Sequence, residues 1–367
     1  MAEDNNGVKV SAINTRVRFE QWAKNPTCEA NTVSAVLNVP TGLVAEKLGF
    51  KNQKQLPPFA IARGLAFEKY LFQDDAAKIL SSMIQQKMVS NDETVEFIDY
   101  RHQGNLQGLS KSAERSAELS KIFLESLVLK KANKNPKLVT GITIKLAKGV
   151  MLPEATLILD CLLATWDETL RAPRWRLKVG EIKIFPDRGG YTDPSQISSA
   201  RAQAGVYKHA LEEWAIENKV QKALSVDDYG FLVFTWPGST FPVLRPNEDL
   251  RSQAQRAKDG FSRMDLVGSK VINSNAGEYD PEQYVDWVSH SKTNFREACW
   301  EFCDLARRCQ DQALEDGRGV FLGTDTSRLL GETKVERALE LMDGAEPNSD
   351  FEGELVARLL EAEGGFF

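Results

Sequence analysis

Apolar residues recur at helical spacing through residues 59–83 (FAIARGLAFEKYLFQDDAAKILSSM), and the Pro57-Pro58 pair in front of them marks a helix start. Residues 111–129, rich in Lys, Ser and Glu, predict a second helix, followed by a basic loop at 130–137. From Leu138 the period changes. Three runs dominated by β-branched and aromatic residues, 138–146, 155–166 and 174–185, predict strands, with 167–172 joining the last two as a hairpin. Beyond Gly189-Gly190 and Pro194, residues 197–217 return to helical periodicity, and 229–236 form a short apolar strand. This order predicts an α/β fold, a mixed central sheet flanked by helices. Residues 247–313 read as mainly helical, and two amphipathic segments, 333–342 and 351–360, follow the Gly-rich stretch 317–323.

The chain has 367 residues, 42% hydrophobic and 27% charged, which excludes global disorder and predicts one large domain or a core with appendages. Four parts are expected: an N-terminal helical segment, 1–57; the sheet-bearing core, 58–246; a helical segment, 247–316; and an acidic tail, 317–367. The net charge of −6 is uneven. Residues 311–367 carry 14 acidic and 5 basic side chains, which leaves the body mildly basic and open to phosphate. No apolar run reaches the length of a membrane span, and the start MAEDNNG lacks a signal pattern, so a cytoplasmic protein without a membrane partner is expected. His102, His209 and His290 have no metal-ligand spacing, and there is neither a Gly-x-Ser-x-Gly elbow nor an ATP-binding glycine loop. Any strand-separating motor must be another polypeptide.

Asp160 interrupts an apolar run, where a carboxylate is costly unless it is paired or bound to a cation. On the next strand Glu181 and Lys183 flank Ile182, so period-2 alternation places both polar groups on one face. If the hairpin pairs these strands, Asp160 and Glu181 converge, and Mg²⁺ or Mn²⁺ would relieve their repulsion. Glu68 supplies a third carboxylate on the first helix, one turn beyond Gly64. Gln203 and Tyr207, four apart, share a face of the helix after the sheet. The plain alternative is a buried Asp160–Lys183 ion pair with Glu181 in solvent.

In order and spacing this set resembles the PD-(D/E)xK nucleases, and among them the RecB-like exonucleases. Gly64/Glu68, Asp160, Glu181-Ile182-Lys183 and Gln203/Tyr207 match that family's motifs over about residues 28–310, although many relatives carry His where this chain has Glu68. The resemblance implies a restriction-endonuclease-like core and metal-dependent hydrolysis of DNA, in repair, recombination, CRISPR spacer acquisition or phage defence. Glu68, Asp160, Glu181 and the Ile182 carbonyl would hold the metal. Lys183 would face the phosphate or the attacking water, and Gln203 and Tyr207 would position Lys183 or the DNA backbone. A helicase, integrase or defence-complex subunit would be the protein partner. The competing readings are a nuclease-fold binding subunit that cuts little and an RNA-processing nuclease.

Cys299, Cys303 and Cys309 lie on one predicted helical stretch (CWEFCDLARRC), and Cys28 stands alone near the N-terminus. One early and three late cysteines bracketing the core resemble the iron–sulfur members of this family, the AddB-type and CRISPR-associated exonucleases, which implies a 4Fe–4S cluster in a helical subdomain built from both ends of the chain. The first gap of the late trio is three residues where those relatives have two. Zinc and plain burial at a helix interface are the alternatives. Cys161, beside Asp160, is expected in the core. Arg171, Arg174, Trp175, Arg176 and Lys178 crowd the approach to Glu181 and suit DNA contact, with Trp175 stacking on a base; an edge strand blunted by charge is the equal alternative.

Overall fold

The computed structural model describes residues 15–50, 58–100, 109–129, 133–146, 151, 156–169, 174–274 and 281–364. They form two compact units. The described parts of one fall within 21–54 and 275–367, those of the other within 14–20 and 55–274. Among the described residues no helix is long and apolar enough to cross a membrane.

Helices α1 (Thr15–Lys24), α2 (Glu29–Leu37) and α3 (Thr41–Lys47) open the chain, and the sheet unit follows with α4 (Pro58–Gln85) and α5 (Leu109–Val128). Its strands are β1 (Glu96–Asp99), β2 (Lys137–Thr140), β3 (Thr143–Lys145), β4 (Thr156–Ile158), β5 (Cys161–Asp167), β6 (Arg174–Pro186), β7 (Leu224–Val226), β8 (Tyr229–Thr235) and β9 (Pro242–Asp249). Helix α6 (Pro194–Glu217) connects β6 to β7, and α7 (Arg251–Ser274) follows β9. The main sheet runs β1-β2-β5-β6-β8-β9, with β7 also paired to β6, while β3 and β4 form a separate ribbon. It is a mixed sheet. β6 pairs antiparallel with β5 and parallel with β8, and β9 closes the edge antiparallel.

Period-2 alternation sorts the two faces of β6. Ile182 enters a core with Phe67, Leu71, Ile79 and Met83 of α4 and with Leu138, Cys161, Leu163, Phe231 and Val233 of the sheet. Cys161 is therefore a core residue. The opposite face lies under α6, whose start is fixed by the Asp193 side chain accepting from the Ser195 and Gln196 backbone N–H groups.

Several sequence expectations need correction, among them the helical reading from 247, since 247–249 complete strand β9. The helix through 59–83 is broken at 73–76, where Asp74, Asp75 and Ala76 take left-handed backbone angles, which Asp tolerates better than most residues. The run 138–146 splits at Gly141, whose φ is 74°. The run 155–166 splits as well, so Asp160 sits in the gap between β4 and β5, outside any strand. The reason is a change of sheet: the Leu159 N–H donates to the Ile142 carbonyl at 2.8 Å, and the Thr140 hydroxyl donates to the Asp160 carbonyl at 2.7 Å, turning the ribbon away from the main sheet.

The helical unit continues with α8 (Pro281–His290), a 3-10 turn at Glu297–Glu301, α9 (Ala306–Glu315), a second turn at Gly319–Leu322, then α10 (Thr324–Leu330), α11 (Val335–Met342) and α12 (Asp350–Gly364). The three late cysteines do not share one helix. Cys299 lies in the 3-10 turn, Cys303 just beyond it and Cys309 on α9. The two amphipathic tail segments become α11 and α12, packed together through Leu330, Ala338, Leu341 and Leu355 and an Arg337–Glu352 ion pair at 2.8 Å.

Candidate active site

The β5–β6 hairpin brings Asp160 to Glu181. Cys161 pairs with Gly180, so the residues just beyond that pair face each other where the ladder ends. Asp160 is 6% exposed and Glu181 0%. Asp160 Oδ2 accepts the Ile182 backbone N–H at 2.9 Å, which fixes the carboxylate against β6. Lys183 Nζ lies 3.1 Å from Glu181 Oε1 and donates to Gln203 Oε1 at 2.9 Å. From there Gln203 Nε2 donates to the Tyr207 hydroxyl at 2.7 Å, and that hydroxyl donates to Asp160 Oδ1 at 3.4 Å. Five of the six candidate catalytic residues are thus linked in one chain of contacts, drawn from a sheet corner, one strand and one helix. The helical spacing of Gln203 and Tyr207 puts both side chains over β6, and Tyr207 is wholly buried.

Glu68 is the sixth. It is half-buried on α4, one residue after Phe67, on the helix that covers the Ile182 face. Just past Ile182 the β6–β8 register is interrupted until Pro186, the kind of irregularity that re-aims backbone near functional sites. Two buried carboxylates beside a single ammonium form a donor set for a hard cation, which favours oxygen ligands. Among the described residues no three His, Cys, Asp or Glu side chains stand arranged to hold a metal ion.

The expected DNA contacts divide differently. Trp175 is 1% exposed, set edge-to-face against Trp166 at 5.7 Å with Lys137 Nζ over its ring, so it has no face to offer a base. That expectation is corrected: Trp175 alternates with Arg174 and Arg176 and points into the core. Arg176 and Lys178 share the Ile182 face of β6, away from Glu181 and Lys183. Arg176 is paired with Asp167 at 3.2 Å and Asp227 at 2.8 Å, and Lys178 donates to Asn247 at 2.9 Å. Burial pulls the Lys178 ammonium below the usual lysine range, against the nearby charge of Asp227. Arg174 lines a cavity of about 500 Å³ with Lys208, His209, Glu212 and Lys258. Arg171 lies outside the described residues.

The four cysteines fall in the helical unit, three of them buried and Cys303 partly so. Cys28 N–H bonds the Asn25 carbonyl at 3.3 Å, and the Asn25 side chain donates to Cys299 Sγ at 3.4 Å, which links the two ends of the chain. Burial pushes the thiols of Cys299, Cys303 and Cys309 up, that of Cys309 to about 11, and the charge of Cys28 adds to the rise in each. Cysteine thiolates suit iron–sulfur or zinc, but among the described residues these four are not arranged as a metal-holding group.

One feature near the site left no local trace in the sequence. Asp187, fully buried, accepts from the Gly190 N–H, the Thr192 hydroxyl and Arg245, and Arg245 and Arg201 both pair with Glu248. This network ties the β6–α6 loop and α6 to β9. Its members are scattered from 187 to 248, so no motif announces them. No protein-family model matches the chain, and neither a curated protein nor a solved structure matches it.

Proposed function

We propose that this protein is a metal-dependent deoxyribonuclease of the PD-(D/E)xK type, built on a restriction-endonuclease-like core and acting as an exonuclease on single-stranded or end-exposed DNA. One observation carries the reading: Asp160, Glu181, Lys183, Gln203 and Tyr207 form a continuous, largely buried set of contacts on adjoining elements. A buried ion pair needs only two of these groups, and here the others are added with matched donors and acceptors.

Asp160, Glu181 and the Ile182 carbonyl would hold Mg²⁺ or Mn²⁺, with Glu68 as the further carboxylate. When bound, such an ion supplies Lewis-acid polarisation of a phosphoryl oxygen and a water acidic enough to attack near neutral pH. Lys183 directs its ammonium at the charge that grows on the phosphoryl oxygens. Gln203 accepts from Lys183 and sets its direction, while the Tyr207 hydroxyl holds Asp160 from the other side. Cys28, Cys299, Cys303 and Cys309 would carry a 4Fe–4S cluster with a structural role, and a separate helicase, integrase or defence-complex subunit would be the protein partner.

The test is incubation of the full chain with end-labelled single- and double-stranded DNA, with and without Mn²⁺, beside an Asp160→Ala control. Cleavage that needs both the ion and Asp160 supports the reading. Absence of cleavage under every condition, with folded protein, defeats it.

A further inference from the structure

Three aromatic side chains stand in solvent at one end of the sheet unit: Tyr191 at 67% exposure, Trp236 at 52% and Phe241 at 67%. They come from two segments joined by hydrogen bonds. The Asp187 N–H donates to the Thr235 carbonyl at 2.9 Å, so the loop carrying Tyr191 is tied to the residue preceding Trp236. Trp236 N–H donates to the Phe241 carbonyl at 2.8 Å, closing the β8–β9 turn. Arg245, next to buried Asp187, donates to the Gly190 carbonyl at 2.9 Å and braces the Tyr191 loop from β9.

The three rings are thus exposed on braced backbone. Isolated exposed apolar residues are ordinary, but three aromatics and no aliphatic on two linked loops form a surface of flat π-faces. Arg188, exposed in the same loop, adds a positive charge. The patch also continues from the candidate site: Pro186 at the end of β6 is three residues past Lys183, or about 10 Å of extended strand.

We propose that Tyr191, Trp236 and Phe241 form a base-stacking platform that holds a single-stranded nucleic acid beside the Asp160–Glu181–Lys183 site. The proposal rests on the nuclease reading for the choice of ligand. Stacking on aromatic faces is tolerant of sequence, because every base has such a face, and it requires bases free of a duplex. The platform therefore selects unpaired strands, and Arg188 meets the phosphates between them.

The experiment uses the full chain without divalent metal and a fluorescein-labelled oligo-dT, read by anisotropy. Trp236→Ala and Phe241→Ala should each weaken binding by about tenfold with unchanged thermal unfolding, and Trp236→Phe should restore most of the affinity. An abasic oligonucleotide of equal length should bind the wild type as weakly as oligo-dT binds the double alanine variant. Equal affinity for the abasic strand, or unchanged affinity in both alanine variants, overturns the platform. So does a dimer that becomes a monomer in those variants while oligonucleotide affinity holds, since the face would then belong to a second copy. Because no cleavage is measured, the two readings fail separately: stacking-dependent binding without nuclease activity supports the platform and removes the enzyme, and the reverse removes the platform alone.

Discussion

Ile182 donates its backbone N–H to Oδ2 of Asp160 at 2.9 Å, a bond between residues 22 apart in the chain. It orients a carboxylate outside any strand against the residue that separates Glu181 from Lys183. The donor is a backbone group that substitution at Ile182 cannot remove, and Asp160→Asn keeps a side-chain oxygen to accept from it. Side-chain variants here should change chemistry more than fold.

Asp160→Asn, Glu181→Gln and Lys183→Met should each lower Mn²⁺-dependent DNA cleavage by about 100-fold or more, by loss of a ligand or of charge at the phosphate. Tyr207→Phe and Gln203→Ala should lose about tenfold, because they act through Asp160 and Lys183. Gln203→Ala should also shift the pH profile of cleavage, since the group that accepts from Lys183 is gone. Full activity in Asp160→Asn would refute the assignment.

Gly205 lies two residues beyond Gln203 on α6, where the backbone of α7 passes closely. A Cβ there would stand 2.4 Å from Gln253 Cβ and 2.7 Å from the Gln253 carbonyl carbon. Gly205→Ala should therefore push the helices apart at a cost of about 1–3 kcal/mol. The melting temperature should fall by about 3–10 °C in circular dichroism, and cleavage should fall with it because Gln203 and Tyr207 ride on the displaced helix. Unchanged melting would show that α7 yields freely.

The cysteines predict a colour. Protein purified without oxygen should be brown and contain iron, and Cys28→Ala should lose the colour together with soluble folding. Closing a loop between Cys28 and the late trio would restrict the unfolded chain by something on the order of 5 kcal/mol. Cys161→Ala should stay coloured and soluble, since Cys161 belongs to the sheet core and its loss leaves only a small cavity. Colourless, metal-free and stable protein would return the four thiols to ordinary burial.

His209 gives a pH dependence unrelated to catalysis. It is buried beside the Phe261 ring at 5.2 Å, and burial holds its imidazolium below the usual histidine value, with Lys258 and Lys208 adding to the depression and Glu212 opposing it. As pH falls through about 6.5 the unfolded chain takes up this proton before the folded one. Stability is then complete above that pH and declines below it. His209→Gln should lose less melting temperature than the wild type between about pH 7.5 and pH 5; an identical loss would place the acid sensitivity elsewhere.

Helix and strand identity were legible in the sequence where burial imposes a long, clear period, as in 59–83, 197–217 and 174–185, but not in the short, partly exposed strands β1 and β9. Glu181, Ile182 and Lys183 could be assigned to opposite faces from alternation alone, and Gln203 with Tyr207 to one face from helical spacing. Local pattern could not show that Asp160 marks a change of sheet, since that depends on Thr140 and Ile142 reaching back to the 159–160 corner. Nor could it show that Trp175 is buried between Trp166 and Lys137, or that Arg176 is neutralised by Asp227, 51 residues away. Charge and aromaticity are properties of a residue, but whether they face solvent depends on which distant segment packs over them. The same holds for Trp236, read as the end of an apolar strand, and for Tyr191 and Phe241, since only the Asp187–Thr235 and Trp236–Phe241 hydrogen bonds place their segments side by side.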